Sequence, residues 1–408
     1  MTAGSAPAQA APRTVDTMAE YLRGWLQRVR DGELGSLPII VGLVLIVITF
    51  AILEDNFFTE RNFTNLLLQM SAVATIAIGV VFVLLIGEID LSVAFVSAVG
   101  GVVMTLLLRP GDPGWSWWLA IGFALLCTTA IGFLHALVIT KAGVPSFVVT
   151  LAGLLIWSGV VLILTTQYST AGTIRIQNDV VIGIANDFLS ATWGWILGGV
   201  VVVGYAVSQL RTVLSGLNSK PLVVLGLQIT GLAAVTLAAV WYANKDRGVP
   251  KVALILGILL AFWSFIATRT RFGRHVYAVG GSAEAARRAG INVDRVRIAV
   301  FMISGFMAGA GGIMLASRLR SVATNTGSGN LLLLVIAAAV IGGTSLFGGT
   351  GRVVSALLGA LVIASIQNGM DLMGLASGTK FVITGLVLLG AVLVDAYAKR
   401  RRAARGVV

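Results

Sequence analysis

An all-α, polytopic transmembrane helical bundle of about 12 spans is the fold class this sequence predicts, and three observations carry the prediction. Of the 408 residues, 57% are apolar and only 11% charged. That is under half of the roughly 25% charged share that keeps a soluble domain wetted. The apolar residues come in runs near the length of about 20 that a helix needs to cross a hydrocarbon core. The 49 glycines and nine tryptophans suit the same environment, since Gly is frequent in spans and Trp gathers at the membrane interface. A soluble enzyme, a disordered chain and a nucleic-acid binder are excluded as readings of the whole chain.

Residues 1–16 are rich in Ala, Pro and Thr and are expected to lack fixed structure. Met18, Tyr21, Leu22, Trp25, Leu26 and Val29 then recur at helical spacing, with Arg23, Gln27, Arg28 and Arg30 interleaved. This predicts an amphipathic helix lying along the membrane surface or packed on a soluble partner. No apolar core follows a short basic start promptly enough for a secretory signal, so 1–36 reads as a cytoplasmic tail. Apolar stretches follow at 37–53, 66–86, 91–108, 117–139, 146–165, 191–208, 221–242, 252–268, 298–316, 331–346, 353–371 and 380–397. The first is short, and 331–346 suits a broken or re-entrant helix. A membrane domain thus covers 37–397, and 398–408 is a basic tail.

With both termini in the cytoplasm, 20 of the 29 Lys and Arg residues fall inside, seven of them in 269–297 and five in 399–405. Three basic residues in the 245–251 turn fall outside and fit poorly. The net charge of +12 is explained by this topology and needs no nucleic-acid partner. The single cysteine, Cys127, excludes an intrachain disulfide and a cysteine metal cluster, and the two histidines offer little for a metal site or a triad. No G-x-x-x-x-G-K-[ST] loop occurs, so the chain is expected neither to hydrolyse ATP nor to bind a cofactor or metal itself.

Three segments interrupt the apolar pattern. In Ile86–Ser92, Asp90 followed by Ser92 suits a capped helix start at the membrane boundary, or a discontinuous helix whose end lines a substrate path. The polar stretch 268–297 holds a Gly280–Gly281 turn, a cap at Ser282, Glu284 in the first turn of a short helix through Arg288, and a stop at Gly290. It reads as a docking element with an Ala-rich face, or as a solvated loop. In 337–352, glycine pairs flank Thr344 and Ser345, and irregular backbone at membrane depth requires protein or a water-filled cavity around it. The first and third segments echo one another, each passing from an apolar run through Ile-Gly and a polar break into a small-residue helix. Gln69, Gln367 and Asn368 lie within apolar stretches, as interhelical hydrogen-bond partners or as path residues. Ion-coupled carriers need a buried carboxylate or histidine relay, and the sequence offers no mid-span candidate except His135, which with Cys127 reads as packing. Energy for transport would then come from a bound partner.

These residues resemble a known family. IGEIDLSV, YAVGGSAEAARRAGINV, AAAVIGGTSLFGGTGRV and IQNGMDLMGL, in that order, are similar to the signatures of sugar ABC-transporter permeases of the ribose and xylose type, over about 60–165 and 265–395. The chain departs from the family pattern at Glu88 and Ala94, where Gly is usual, and at Leu334, where an acidic residue is common. Its extra apolar stretches at 191–208 and 221–242 resemble the longer, xylose-type form. The resemblance implies a homodimer of permeases, a separate ATPase with two nucleotide sites holding ATP and Mg, and a periplasmic sugar-binding protein in a bacterial inner membrane. It implies that Gly280, Gly281, Glu284, Ala285, Ala286, Arg287 and Gly290 form the ATPase-coupling element. Gln69, Asp90, Ser92, Thr344, Ser345, Gln367 and Asn368 are the candidates for the sugar path. The substrate it implies is a monosaccharide, D-xylose. A permease of the branched-chain amino-acid type and a stand-alone secondary carrier are the alternatives.

Overall fold

Helix starts in this chain are set by short local signals. The computed structural model describes Arg23, Gln27 and residues 37–111, 113–215 and 221–404. The expected interfacial helix within 1–36 therefore lies outside the described residues, apart from Arg23 and Gln27, as do Lys220 and the last four residues of the basic tail. Helix α1 (Leu37–Leu53) leads through a single 3-10 turn at Asp55–Phe58 to α2 (Glu60–Leu85), where the Thr59 hydroxyl accepts from the Asn62 N–H. Then come α3 (Val93–Leu107), α4 (Trp117–Lys141), α5 (Ser146–Tyr168), strand β1 (Thr173–Arg175) and the short α6 (Asp179–Asn186), capped by Asn178. Helices α7 (Ala191–Leu214), α8 (Leu222–Asn244) and α9 (Lys251–Arg269) follow. Helices α5, α8 and α9 each begin directly after a proline, whose fixed φ suits a helix start. Two non-spanning helices, α10 (Arg271–Gly281) and α11 (Ala283–Arg288), precede α12 (Val293–Leu319). Strand β2 (Ser321–Ala323), α13 (Leu331–Ile341), α14 (Val354–Leu372) and α15 (Ser377–Ala404) complete the order.

Every predicted apolar stretch is a helix. Among the described residues, eight helices are long and apolar enough to cross a membrane, and four shorter apolar ones occupy the remaining stretches. Helix α2 starts six residues before its predicted position, because an apolar ruler cannot see a capped but polar first turn. Helix α13 ends at Ile341, five residues early, because Gly343 takes a left-handed φ of 96° and closes it. The antiparallel ribbon of β1 and β2, with Ile174 opposite Val322, was not anticipated.

Helix α12 is the axis, packed on α2, α3 and α4. Small residues bring these backbones together. A methyl group on Gly312 would fall 1.8 Å from the Ser97 carbonyl oxygen, and one on Gly132 would fall 2.2 Å from that of Phe301. Membrane helices gain most from such close contact, because lipid offers no hydrophobic drive between them. Helices α2 and α12 leave one end of the bundle with α10, α11 and the breaks at 86–92 and 342–352, here called the motif end. The opposite, ribbon end holds β1, β2, α6 and the start of α2.

Candidate functional site

At the motif end the three segments singled out in the sequence meet. Helix α2 closes with its left-handed residue at Gly87 (φ 75°): the Gly87 N–H donates to Leu84 and the Glu88 N–H to Val83, at 2.9 and 3.2 Å. This paired reverse bonding satisfies carbonyls that a helix end otherwise leaves open. Helix α13 ends the same way, with Gly343 donating to Val340 and Thr344 to Ala339. Gly290 and Gly374 close their helices by the same bonding, so this closure is not particular to the two breaks.

Helix α10 is wedged between the two breaks. Gly280 and Gly281 form its last turn rather than the isolated turn expected of a Gly pair. Gly280 is needed for closeness: a methyl group there would fall 1.8 Å from the Leu85 oxygen and 2.7 Å from the Gly349 nitrogen. Those two groups bond each other, Gly349 N–H to Leu85 oxygen at 2.9 Å. The Tyr277 hydroxyl donates to the Gly351 carbonyl at 2.9 Å. Burial raises its pKa against the opposing pull of Arg352, so it stays a donor. Glu88, which departs from the family pattern, makes a 2.9 Å ion pair with Arg297 in the first turns of α12.

The short α11 follows the sequence reading closely. The Ser282 hydroxyl accepts from the Ala285 N–H at 3.2 Å, and Gly290 (φ 83°) ends the helix by donating to Arg287. Glu284 pairs with Arg288, one turn further along the helix. Glu284, Ala285, Arg287 and Gly290 are exposed, while Ala286 turns inward into the core. The alanine face is thus split, Ala286 and the half-buried Ala283 holding the helix down while Ala285 faces out.

Behind the break, Asp90 is 5% exposed. Its carboxylate accepts from the Ser92 N–H (3.0 Å), the Ser92 hydroxyl (2.6 Å) and the Ser304 hydroxyl of α12 (2.7 Å). Ser92 opens α3 but gives it no side-chain cap, since its hydroxyl is spent on Asp90. The chain continues from Ser92 Oγ to His135 Nδ1 (3.4 Å) and from His135 Nε2 to the Trp157 indole N–H (3.1 Å). An indole can only donate, so Nε2 accepts and the ring proton sits on Nδ1. His135 is therefore no plain packing residue, and a buried carboxylate and histidine are joined after all, through Ser92. Gly153 makes the space, since a methyl group there would lie 2.6 Å from His135 Nε2. Nothing local in the sequence ties Asp90 to His135, Trp157 or Ser304, because each stands on a different helix.

The remaining predicted residues separate. Ser345 and Thr344 are buried in the second break, where the Ser345 hydroxyl accepts from the Phe347 N–H at 3.2 Å. Asn368 exchanges a reciprocal pair of hydrogen bonds with Asn62 (2.7 and 2.8 Å), fastening α14 to α2. Gln69 and Gln367 line one cavity of about 400 Å³ nearer the ribbon end. Among the described residues no group of three or more His, Cys, Asp or Glu is placed to hold a metal ion.

Fold and site together define a multi-pass α-helical membrane protein whose non-spanning helical loop is seated on two broken-helix turns. The family described as branched-chain amino acid transport system / permease component matches residues 62–394. The xylose transport system permease protein XylH of Escherichia coli (strain K12) is 37% identical over 386 residues, 93% of this chain and 96% of that protein. Its counterpart in Haemophilus influenzae is 34% identical over 89% of this chain and 96% of its own length. The ribose import permease protein RbsC of Escherichia coli (strain K12) is 30% identical, with 94% and 98% covered. No solved structure matches. The chain belongs to this family of transport permeases.

Proposed function

We propose that this chain is the membrane-spanning subunit of an ATP-driven importer that passes a monosaccharide, D-xylose, into the cell. It works as a homodimer in the bacterial inner membrane, with both termini and the motif end in the cytoplasm. A periplasmic sugar-binding protein delivers the sugar, and an ATPase with two nucleotide sites hydrolyses ATP. The chain itself is no enzyme: it supplies the path and the coupling element. The observation that carries this reading is the seating of α10 on both breaks, in a chain similar over nearly its whole length to xylose and ribose permeases.

The exposed side of α11, with Glu284, Ala285 and Arg287, docks in the ATPase. Movement of α11 reaches α10, and Gly280 touches both breaks backbone to backbone. No flexible side chain intervenes to absorb the displacement, and packed interiors transmit strain. Glu88–Arg297 and Asp90–Ser304 carry it to α12, and Ser92–His135–Trp157 carries it to α4 and α5. Asp90, Ser92, Thr344, Ser345 and Asn368 serve by positioning these helices, while Gln69 and Gln367 face the path.

Arg287→Glu tests the docking, because it reverses an exposed charge and leaves the Glu284–Arg288 pair in place. In vesicles carrying the whole transporter, ATP-driven xylose uptake is expected to fall at least about tenfold, the loss typical of a charged interface contact. Unchanged uptake would overturn the coupling assignment. Uptake that survives removal of the ATPase, or follows a proton gradient, would favour a stand-alone carrier. The family description favours one alternative substrate class, branched-chain amino acids. Competition of leucine against xylose for uptake separates the two.

A further inference from the structure

We propose that the ribbon-end cavity is the membrane site that first receives the sugar, and that Arg318 and Gln69 are the groups that orient it there. The assignment rests on the sugar reading above and adds Arg318, which none of the path arguments singled out.

The cavity, about 400 Å³, lies within the roughly 300–1,000 Å³ usual for small-molecule sites. Its polar wall groups are Gln69 on α2, Arg318 at the end of α12, Asn325 and Thr326 after β2, and Gln367 and Asp371 on α14, with Leu331 and Leu334 of α13 beside them. The chemistry of these walls matches a neutral polyol. Each sugar hydroxyl both donates and accepts, and the site offers a guanidinium that only donates, a carboxylate that only accepts, and amides that do both. Asp371 interacts electrostatically with Arg318 and pairs with Lys380.

Two of the wall groups are committed elsewhere. The Gln367 amide donates to Thr384 at 2.9 Å, and Lys380 pairs with Asp371. Among the described residues, Gln69 and Arg318 form no hydrogen bond. The Arg318 guanidinium is half-buried and lines the cavity, where its donors are free to meet a ligand. The cavity also stands at the end opposite α11, where alternating access needs its outward-facing site.

The test uses the complete transporter in proteoliposomes, with D-xylose uptake and binding-protein-stimulated ATP hydrolysis measured together. Arg318→Met and Gln69→Leu are each expected to cut uptake about tenfold, as loss of a hydrogen bond to substrate would, while stimulated hydrolysis stays within about twofold of normal. A second measurement does not depend on those variants folding. Asn325→Cys, in a Cys127→Ser background, is labelled with a membrane-impermeant maleimide, and xylose-loaded binding protein is expected to slow labelling where empty binding protein does not. Full uptake in both variants, or labelling indifferent to xylose, would overturn the cavity assignment alone. Failure of the wild-type transporter to take up xylose would overturn the sugar reading, and the present assignment with it.

Discussion

Helices α12 and α7 are both long, apolar and able to cross a membrane, yet they differ sharply in burial. Fifteen of the 27 residues of α12 are buried, against two of the 24 in α7, Gly194 and Gly198. The glycines of α12 press on neighbouring backbones, whereas Gly199 and Gly204 of α7 have open space around them. Helices α7 and α8 pair with each other, and α8 meets α2. A polar clasp at the ribbon end holds this hairpin. Thr64 donates to Asp246 at 2.8 Å, Arg247 donates to Asn65 at 2.9 Å, and Tyr242 donates to the Phe58 carbonyl. The lesson is that hydropathy reports only the absence of water. Lipid and protein interior are equally apolar, and packing alone tells them apart.

The sharpest way to break this comparison is to add the same side chain to both helices. Gly312→Leu forces atoms into the Ser97 backbone and is expected to abolish or severely lower the yield of folded protein, a cost above the roughly 1–3 kcal/mol of ordinary overpacking. Gly204→Leu points into open space and should stay within about 0.5 kcal/mol of wild type. Thermal unfolding in detergent reads both, and equal effects would refute the division into core and periphery.

Next in size is Gly280→Ala. Its methyl group cannot fit beside Leu85, so α10 must lift from the breaks. Xylose uptake is expected to drop at least about tenfold, with a smaller stability loss of about 1–3 kcal/mol. Ser304→Ala removes one of three donors to the buried Asp90 carboxylate and should cost about 1–3 kcal/mol by the same unfolding measurement. A value near zero would show that water replaces the hydroxyl.

The smallest effect belongs to the clasp. Burial alone would raise the Asp246 pKa, but hydrogen bonds from Arg247 and Thr64, and the charges of Arg247 and Arg61, hold it below its ordinary 3.8. Because the folded pKa is the lower one, the clasp's contribution is present above 3.8 and is lost as pH falls through the folded value. Asp246→Asn is expected to remove this acid sensitivity and to lower stability at neutral pH by no more than about 1 kcal/mol, the same contribution that acid removes from the wild type. Unfolding midpoints compared between neutral and strongly acid buffer, for both proteins, test it.

Much of the site was legible because its signals are local. Ser282 caps α11 and Gly290 stops it within a few residues of the positions that show it. Both breaks were visible as polar or Gly-rich interruptions of apolar runs. Gly280 reads in the sequence as half of a turn, whereas its role is closeness, because its neighbours, Leu85 and Gly349, are remote in sequence. His135 was read as packing for the same reason, with Ser92 lying 43 residues away. Arg318 stands at the end of α12 without any marking motif, and its cavity mates come from α2, α13, α14 and the segment around β2.

By itself, then, the sequence determined the membrane class, the position of every apolar helix, and the capped loop between α9 and α12. Each of these follows from hydropathy summed over a short window or from a cap a few residues long. Only the tertiary structure decided which apolar faces meet protein, which glycines are wedges, and that Asp90 reaches His135. Those outcomes depend on backbone approach and hydrogen-bond geometry between distant segments, which composition and spacing do not encode.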